Sequence, residues 1–318
     1  MTPTLTTARP ARGRVGLAGR GAATPPPARS RISANAVILL LMALPSLLVI
    51  LLINVYPLIY AANQSVRMGS LIDAGPFVGA DNFAEVLTAE SFWQAAGFTV
   101  IFSVVGVFGS WVVGFAIALM LRTRIPGANT FKVLLLMPWV IPVVSSAMAW
   151  NWLIATPSSP LPMMFESLGL GRPLFLADPV LAMITVCLFK VWVSFPFMML
   201  MMSSALAGVD TNVYEAGKMD GAGRWQQLTQ LTLPMIARPI YISWILMAIF
   251  CVNDFTTVYL LTGGGPVGST NTLLVLAYRT VFQDMRTGPG VAIAFLMTFV
   301  LVVISVVLYR QIRKSSLQ

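Results

Sequence analysis

Long apolar runs separated by short polar segments make up most of the chain. At about twenty apolar residues per bilayer crossing, the pattern predicts six spans, with rough limits 36–62, 95–121, 131–155, 179–207, 235–262 and 290–310. The first run, AVILLLMALPSLLVILLINVYPLIYAA from Ala36, is too long for the apolar core of a signal peptide, so it is expected to be an uncleaved span. Prolines fall inside several runs: Pro45 and Pro57 in the first, Pro138 and Pro142 in the third, Pro196 in the fourth. Each removes a backbone donor, and a bilayer tolerates the resulting kink only where protein or water satisfies the freed carbonyl. The pattern therefore predicts an all-α membrane protein of six transmembrane helices, packed as a bundle around a cavity. No internal repeat stands out.

Composition supports this class: 57% of the 318 residues are hydrophobic, 10% are charged, and the mean hydropathy is +0.82, far from the soluble norm. The first 34 residues differ. They are rich in Thr, Ala, Pro, Gly and Arg without apolar periodicity, so two regions are expected: a disordered tail, 1–34, and a six-span domain, 35–318. Histidine is absent, which removes the usual neutral-pH acid/base and the commonest metal ligand. Cys187 and Cys251 lie far apart inside apolar runs and read as small buried hydrophobes, with no redox or metal spacing.

The net charge of +9 could suggest nucleic acid, but its placement reads as topology. Fifteen Lys and Arg fall in the tail, after spans 2 and 4, and at the C-terminus. The opposite connections hold Arg67, Arg172, Arg279 and Arg286 together with seven acids, Asp73, Asp81, Glu85, Glu90, Glu166, Asp178 and Asp284. The positive-inside rule then puts both termini in the cytoplasm, and no aromatic-basic interleaving supports nucleic-acid binding.

One connection on the positive side, about 208–234, stands apart. Its centre reads EAGKMDGAGRWQQLTQLTLP, from Glu215 to Pro234. Asn212 with Glu215 fits a capping pair for a first short helix, Gly221 a left-handed stop, Asp220 a cap for a second helix, and Pro234 the entry to span 5. Ala216, Met219, Ala222 and Trp225 would give this helix pair an apolar patch, which a solvated loop does not need.

Glu215-Ala216-Gly217, three residues, Gly221, nine residues, then Leu231-x-Leu233-Pro234 resembles the EAA loop of ABC-importer permeases, written EAA-x3-G-x9-I-x-LP, with Gly for the second Ala and Leu for Ile. The resemblance extends to the carbohydrate-type permeases of the maltose and glycerol-phosphate importer group. It runs through FVGADNF (77–83), LLLMPWVIP (134–142), WVSFPFMMLMMSSAL (192–206) and FTTVYLLTGGGP (255–266) with Ser269, Thr270 and Asn271, the last similar to the larger, maltose-F-like partner of the heterodimer. It implies a type I ABC importer permease bundle in a bacterial inner (plasma) membrane. It also implies three protein partners: a second permease subunit, an ABC ATPase dimer that alone binds ATP and Mg, and an extracytoplasmic solute-binding protein. The loop would be a coupling helix carried by Glu215, Ala216, Gly217, Met219, Asp220, Gly221, Trp225 and Pro234, and the chain would do no covalent chemistry and need no cofactor. The glycine-rich GGGP at 263–266 lacks the Gly-Lys-Ser/Thr of a phosphate loop and reads as a turn.

Lys190 and Asp254 lie well inside spans and are costly there unless paired or facing a cavity. Either they pair with one another or they touch the solute. Alignment with the resembling permeases assigns the solute positions to Lys190, Val193, Ser194, Phe197, Met247, Phe250, Cys251 and Asp254, with Asn253 beside them. Phe197 and Phe250 would offer a sugar ring its aromatic face, and Ser194, Asn253 and Asp254 its polar contacts. Trp150, Asn151 and Trp192 are weaker candidates, since aromatics near span ends serve as interfacial anchors. The expected solute is a sugar, with a glycerol phosphate, polyol or amino sugar as alternatives. Two other functional classes are weighed: a secondary carrier, expected to show broken helices in matching halves, and a polytopic membrane enzyme, expected to show convergent acids, His or Cys.

Overall fold

The computed structural model describes residues 34–73, 75–122 and 127–315. The predicted tail, 1–34, lies outside them except for Ala34. The described chain divides into two units, one ending at Tyr56 and one beginning at Pro57. The first consists of the leading part of α1 (Ala34–Ser65), whose described side chains are exposed from Leu41 onward and almost wholly apolar, as a span facing lipid requires.

The described elements of the second unit are helices joined by short irregular segments. It holds α2 (Asp81–Thr88), α3 (Glu90–Leu121), α4 (Ala128–Val140), α5 (Val143–Ile154), α6 (Pro160–Ser167) and α7 (Pro179–Ala207), and then a run of short helices described below. After these come α11 (Ala237–Val252), α12 (Thr256–Thr262), α13 (Leu273–Phe282) and α14 (Thr287–Ser315). Among the described residues the β pairing is an isolated bridge between Arg67 and Phe77.

Leu41–Ser65, α3 and α7 are each long and apolar enough to cross a bilayer. Predicted span 4 coincides with α7, whose start is fixed by Asp178 accepting the Val180 and Leu181 N–H groups at 2.9 Å, with Pro179 in the first turn. Two predicted spans are broken rather than continuous. Span 3 divides into α4 and α5, bent by 89° at Ile141–Pro142, because the second proline cannot continue a helix and pushes Ile141 into an extended conformation. Span 5 divides into α11 and α12 at Asn253–Phe255. Counting two bent pairs as single spans, α4 with α5 and the helical run Arg224–Met235 with α11, gives up to five among the described residues by length and composition, and the expected sixth, 290–310, lies inside α14.

The central packing is α3 against α7, closed by glycine. A Cβ at Gly114 would stand 2.6 Å from the Met199 nitrogen and 2.8 Å from the Phe195 carbonyl, so only glycine lets the helices approach this closely. Around this seam one core joins Phe98 and Phe102 of α3 to Val186, Phe189 and Met198 of α7, Met247 and Cys251 of α11, and Val258 of α12. A second core lies between α2, α3, α13 and α14. The FVGADNF segment gains its physical meaning here. Asn82, 2% exposed, donates its amide to the Ser65 and Arg67 carbonyls at 2.8 and 2.9 Å, and Gly288 sits against the same groups where a Cβ would collide. Glu85 and Arg286 close the join with a two-pronged ion pair.

Candidate functional site: a polar loop and a broken span

A third core, at the far end of α3 and α7, carries the polar loop. Phe115 and Ala118 meet Met202, Leu206 and Val209, and Ile236 and Ile240 from α11's entry; Tyr214, Leu228 and Leu233 of the loop pack on them. The loop contains α8 (Thr211–Met219), α9 (Arg224–Gln226), a π-helical stretch (Gln227–Thr232) and α10 (Leu233–Met235).

Its caps differ from expectation. Asp210, not Asn212, caps α8, accepting the Asn212 N–H at 2.9 Å, so the helix starts two residues earlier than expected and Tyr214 lies within it. Asp220 ends α8 instead of starting α9, whose first turn is held by Gly223 N–H donating to the Gln226 side chain at 2.8 Å. Gly221 does take the left-handed conformation, φ +80°. Its N–H donates to Lys218 at 3.0 Å and the Ala222 N–H to Gly217 at 2.8 Å, the double bond of a glycine-stopped helix. A Cβ at Gly217 would lie 2.8 Å from Leu231 Cδ1, the movable end of a side chain, so the glycine in place of the motif's second alanine eases the contact of α8 with the π-helical stretch without being demanded by it.

Two further contacts fix the loop to the spans. The Tyr214 hydroxyl bonds Thr232 Oγ1 at 3.1 Å, and Thr232 in turn donates to the Gln227 carbonyl at 3.0 Å across the π-turn. The Arg122 guanidinium at the end of α3 lies over the Tyr214 ring, 4.5 Å from its centre. Pro234 stands in the first turn of α10, and the chain bends by 69° into α11. Against this rigid base, Glu215 and Ala216 are exposed, and Met219 and Trp225 project outward at 89% and 74% exposure. Of the four residues expected to form an apolar patch, Ala216, Met219 and Trp225 are exposed and Ala222 is half-buried.

The mid-span candidates separate into three groups. Lys190 and Asp254 are brought together, Nζ to Oδ2 at 2.7 Å, with side chains 8% and 12% exposed. The other Asp254 oxygen accepts the Thr257 N–H at 3.0 Å, so one carboxylate joins α7 to the start of α12 across the break in span 5. Val193, Ser194, Met247 and Cys251 are buried beside this pair, and Gly106 makes room for Cys251: a Cβ there would be 2.7 Å from its sulfur. Phe197 and Phe250 touch edge to face at 5.8 Å, with Phe250 half exposed, while Asn253 is exposed at the break. Trp150 and Trp192 pack on each other and on Phe189 against the core, and Asn151 donates to the Leu260 carbonyl at 3.0 Å, pinning α5 to α12. The break at 253–255 and the π-turn were missed from the sequence. The Asn-Asp pair within an apolar run was the available signal for the break.

Comparison with known proteins supplies the family. Residues 112–316 match the family described as binding-protein-dependent transport system inner membrane component. The chain is 32% identical to the trehalose/maltose transport system permease protein MalF of Thermococcus litoralis, over 86% of this chain and 92% of that one. It is 31% identical to the diacetylchitobiose uptake system permease protein DasB of Streptomyces coelicolor, over 86% of each. In fold it superimposes on a chain of a bacterial ABC transporter that imports the acidic polysaccharide alginate, with TM-score 0.77, 21% identity, and 88% of this chain and 96% of that one covered. The chain belongs to the family of binding-protein-dependent transport system inner membrane components and is a membrane-spanning permease subunit of an ABC importer.

Proposed function

We propose that this subunit moves a sugar or sugar-like solute by alternating access, driven by a separate ATPase dimer whose groove receives the 208–234 loop, with a second permease subunit completing the bundle. Both termini lie on the ATPase side, where the Lys and Arg excess falls. The observation that carries the reading is the contrast within the loop: Met219 and Trp225 are largely exposed while Tyr214, Thr232 and Arg122, with the third core, hold their base to three spans. Exposed apolar side chains on a rigid base suit a protein groove. A loop so clamped transmits closure of the ATPase as rotation of α3, α7 and α11, a two-state change. The sugar assignment is supported by the named solutes of the two permease relatives and by the Phe197–Phe250 face near the amide of Asn253. The ATP and Mg needed would be held by the partner ATPase.

The test is uptake by the reconstituted complex carrying Gly221→Pro or Glu215→Lys. At φ +80° a proline ring cannot be accommodated, and Glu215→Lys reverses the exposed charge on the docking face. Both variants are expected to insert normally and lose uptake. Transport surviving both would remove the loop as the lever.

A further inference from the structure

Among the described residues, Lys190 and Asp254 are the acid and base well inside the spans, and they are spent on each other. The carboxylate is fully committed: Oδ2 takes Lys190 at 2.7 Å and Oδ1 takes the Thr257 N–H at 3.0 Å. The lysine stem is walled by α3, where a Cβ on Gly106 would come 3.2 Å from its Cγ, and its Nζ lies 5.9 Å from the centre of the Phe102 ring. With side chains 8% and 12% exposed, neither charge is offered outward. We propose that this pair leaves the subunit's share of the solute path electrically neutral, so that the solute is an uncharged sugar or polyol and not a sugar phosphate or uronate.

This deepens the sugar-importer reading and rests on it. An anion drawn to Lys190 would compete with Asp254 for its one positive charge and bring a second negative charge beside that carboxylate in a low-dielectric interior. A neutral polyol brings no such charge. It meets the exposed amide of Asn253 and the half-exposed ring of Phe250 instead. Lys190 and Asp254 are then positioning residues: they hold the break at 253–255 against α7, and the side chains at the break meet the solute.

The test uses the complete importer in proteoliposomes with its binding protein. The neutral probes are trehalose and diacetylchitobiose, the anionic probes trehalose 6-phosphate and digalacturonate. Wild type is expected to take up a neutral probe and to be indifferent to excess anionic probe. Asp254→Asn strands the lysine, so uptake should fall about tenfold or more, and what remains should become sensitive to the anionic probes. Lys190→Gln with Asp254→Asn should restore neutral uptake and the melting temperature of the complex together. Wild-type uptake of an anionic probe, or a double variant as inactive and as unstable as Asp254→Asn, overturns the proposal. Should wild type take up no sugar of either kind, the sugar reading fails, and the melting temperatures alone decide whether the pair is mutually satisfied.

Discussion

Trp225→Ala removes the largest exposed side chain of the loop. A tryptophan buries about 150–250 Å² on docking, and at 74% exposure most of that area is still open, roughly 150 Å² by this scale. At about 25 cal/mol per Å² the gross gain on entering a groove is about 4 kcal/mol; ordering the side chain and imperfect fit reduce it to the ~2–4 kcal/mol typical of an aromatic hot spot. Affinity for the ATPase subunit should therefore fall about thirtyfold or more. The loop itself should stay folded, because Trp225's ring makes none of the contacts that fix Tyr214, Thr232 and Arg122. The assay is titration of nanodisc-held permease pair with purified ATPase subunit. Trp93→Ala is the control: that ring is also exposed, at 60%, but lies at the opposite end of α3, with its indole donating to the Leu87 carbonyl. Equal affinities for wild type and Trp225→Ala, or an equal loss with Trp93→Ala, would refute the docking argument.

Gly114→Ala should lower the melting temperature of the solubilised protein by the equivalent of about 1–3 kcal/mol, because its Cβ meets backbone atoms of α7 that cannot give way. Gly97→Ala on the same helix, with nothing within 4 Å, should be neutral or slightly stabilising. Asn82→Ala leaves the Ser65 and Arg67 carbonyls without their donor, a loss of about 2–4 kcal/mol from one buried and one partly buried acceptor, measurable as a lower denaturant midpoint. An unchanged midpoint would mean water replaces the amide.

Much of the fold was legible because a bilayer enforces it. The limits of α7 follow from an apolar run closed by an Asp-Pro start, and the two lone ionisable groups in adjacent spans, Lys190 and Asp254, do pair. What sequence could not reach depends on contacts distant along the chain or on geometry without a period. Asp210 and Asn212 are both good caps two residues apart, and the choice between them is made by packing Tyr214 under Arg122. The π-turn at 227–232 requires Thr232 to reach back to Gln227, which no hydrophobic pattern signals. Asn82 draws its importance from residues about fifteen positions away in sequence and from Gly288 on the last helix. By sequence Pro138 and Pro142 are equivalent kink positions, yet α4 runs through the first and ends before the second, where a bend of 89° follows.

In the proposed mechanism this subunit transports only when an ATPase drives the loop. The direct measurement is solute uptake into proteoliposomes holding the permease pair, with and without the ATPase subunits, with ATP supplied on the loop side and ion gradients set independently. The account predicts uptake that needs both ATPase and ATP and ignores the gradients. Gradient-driven uptake by the permease pair alone would contradict it.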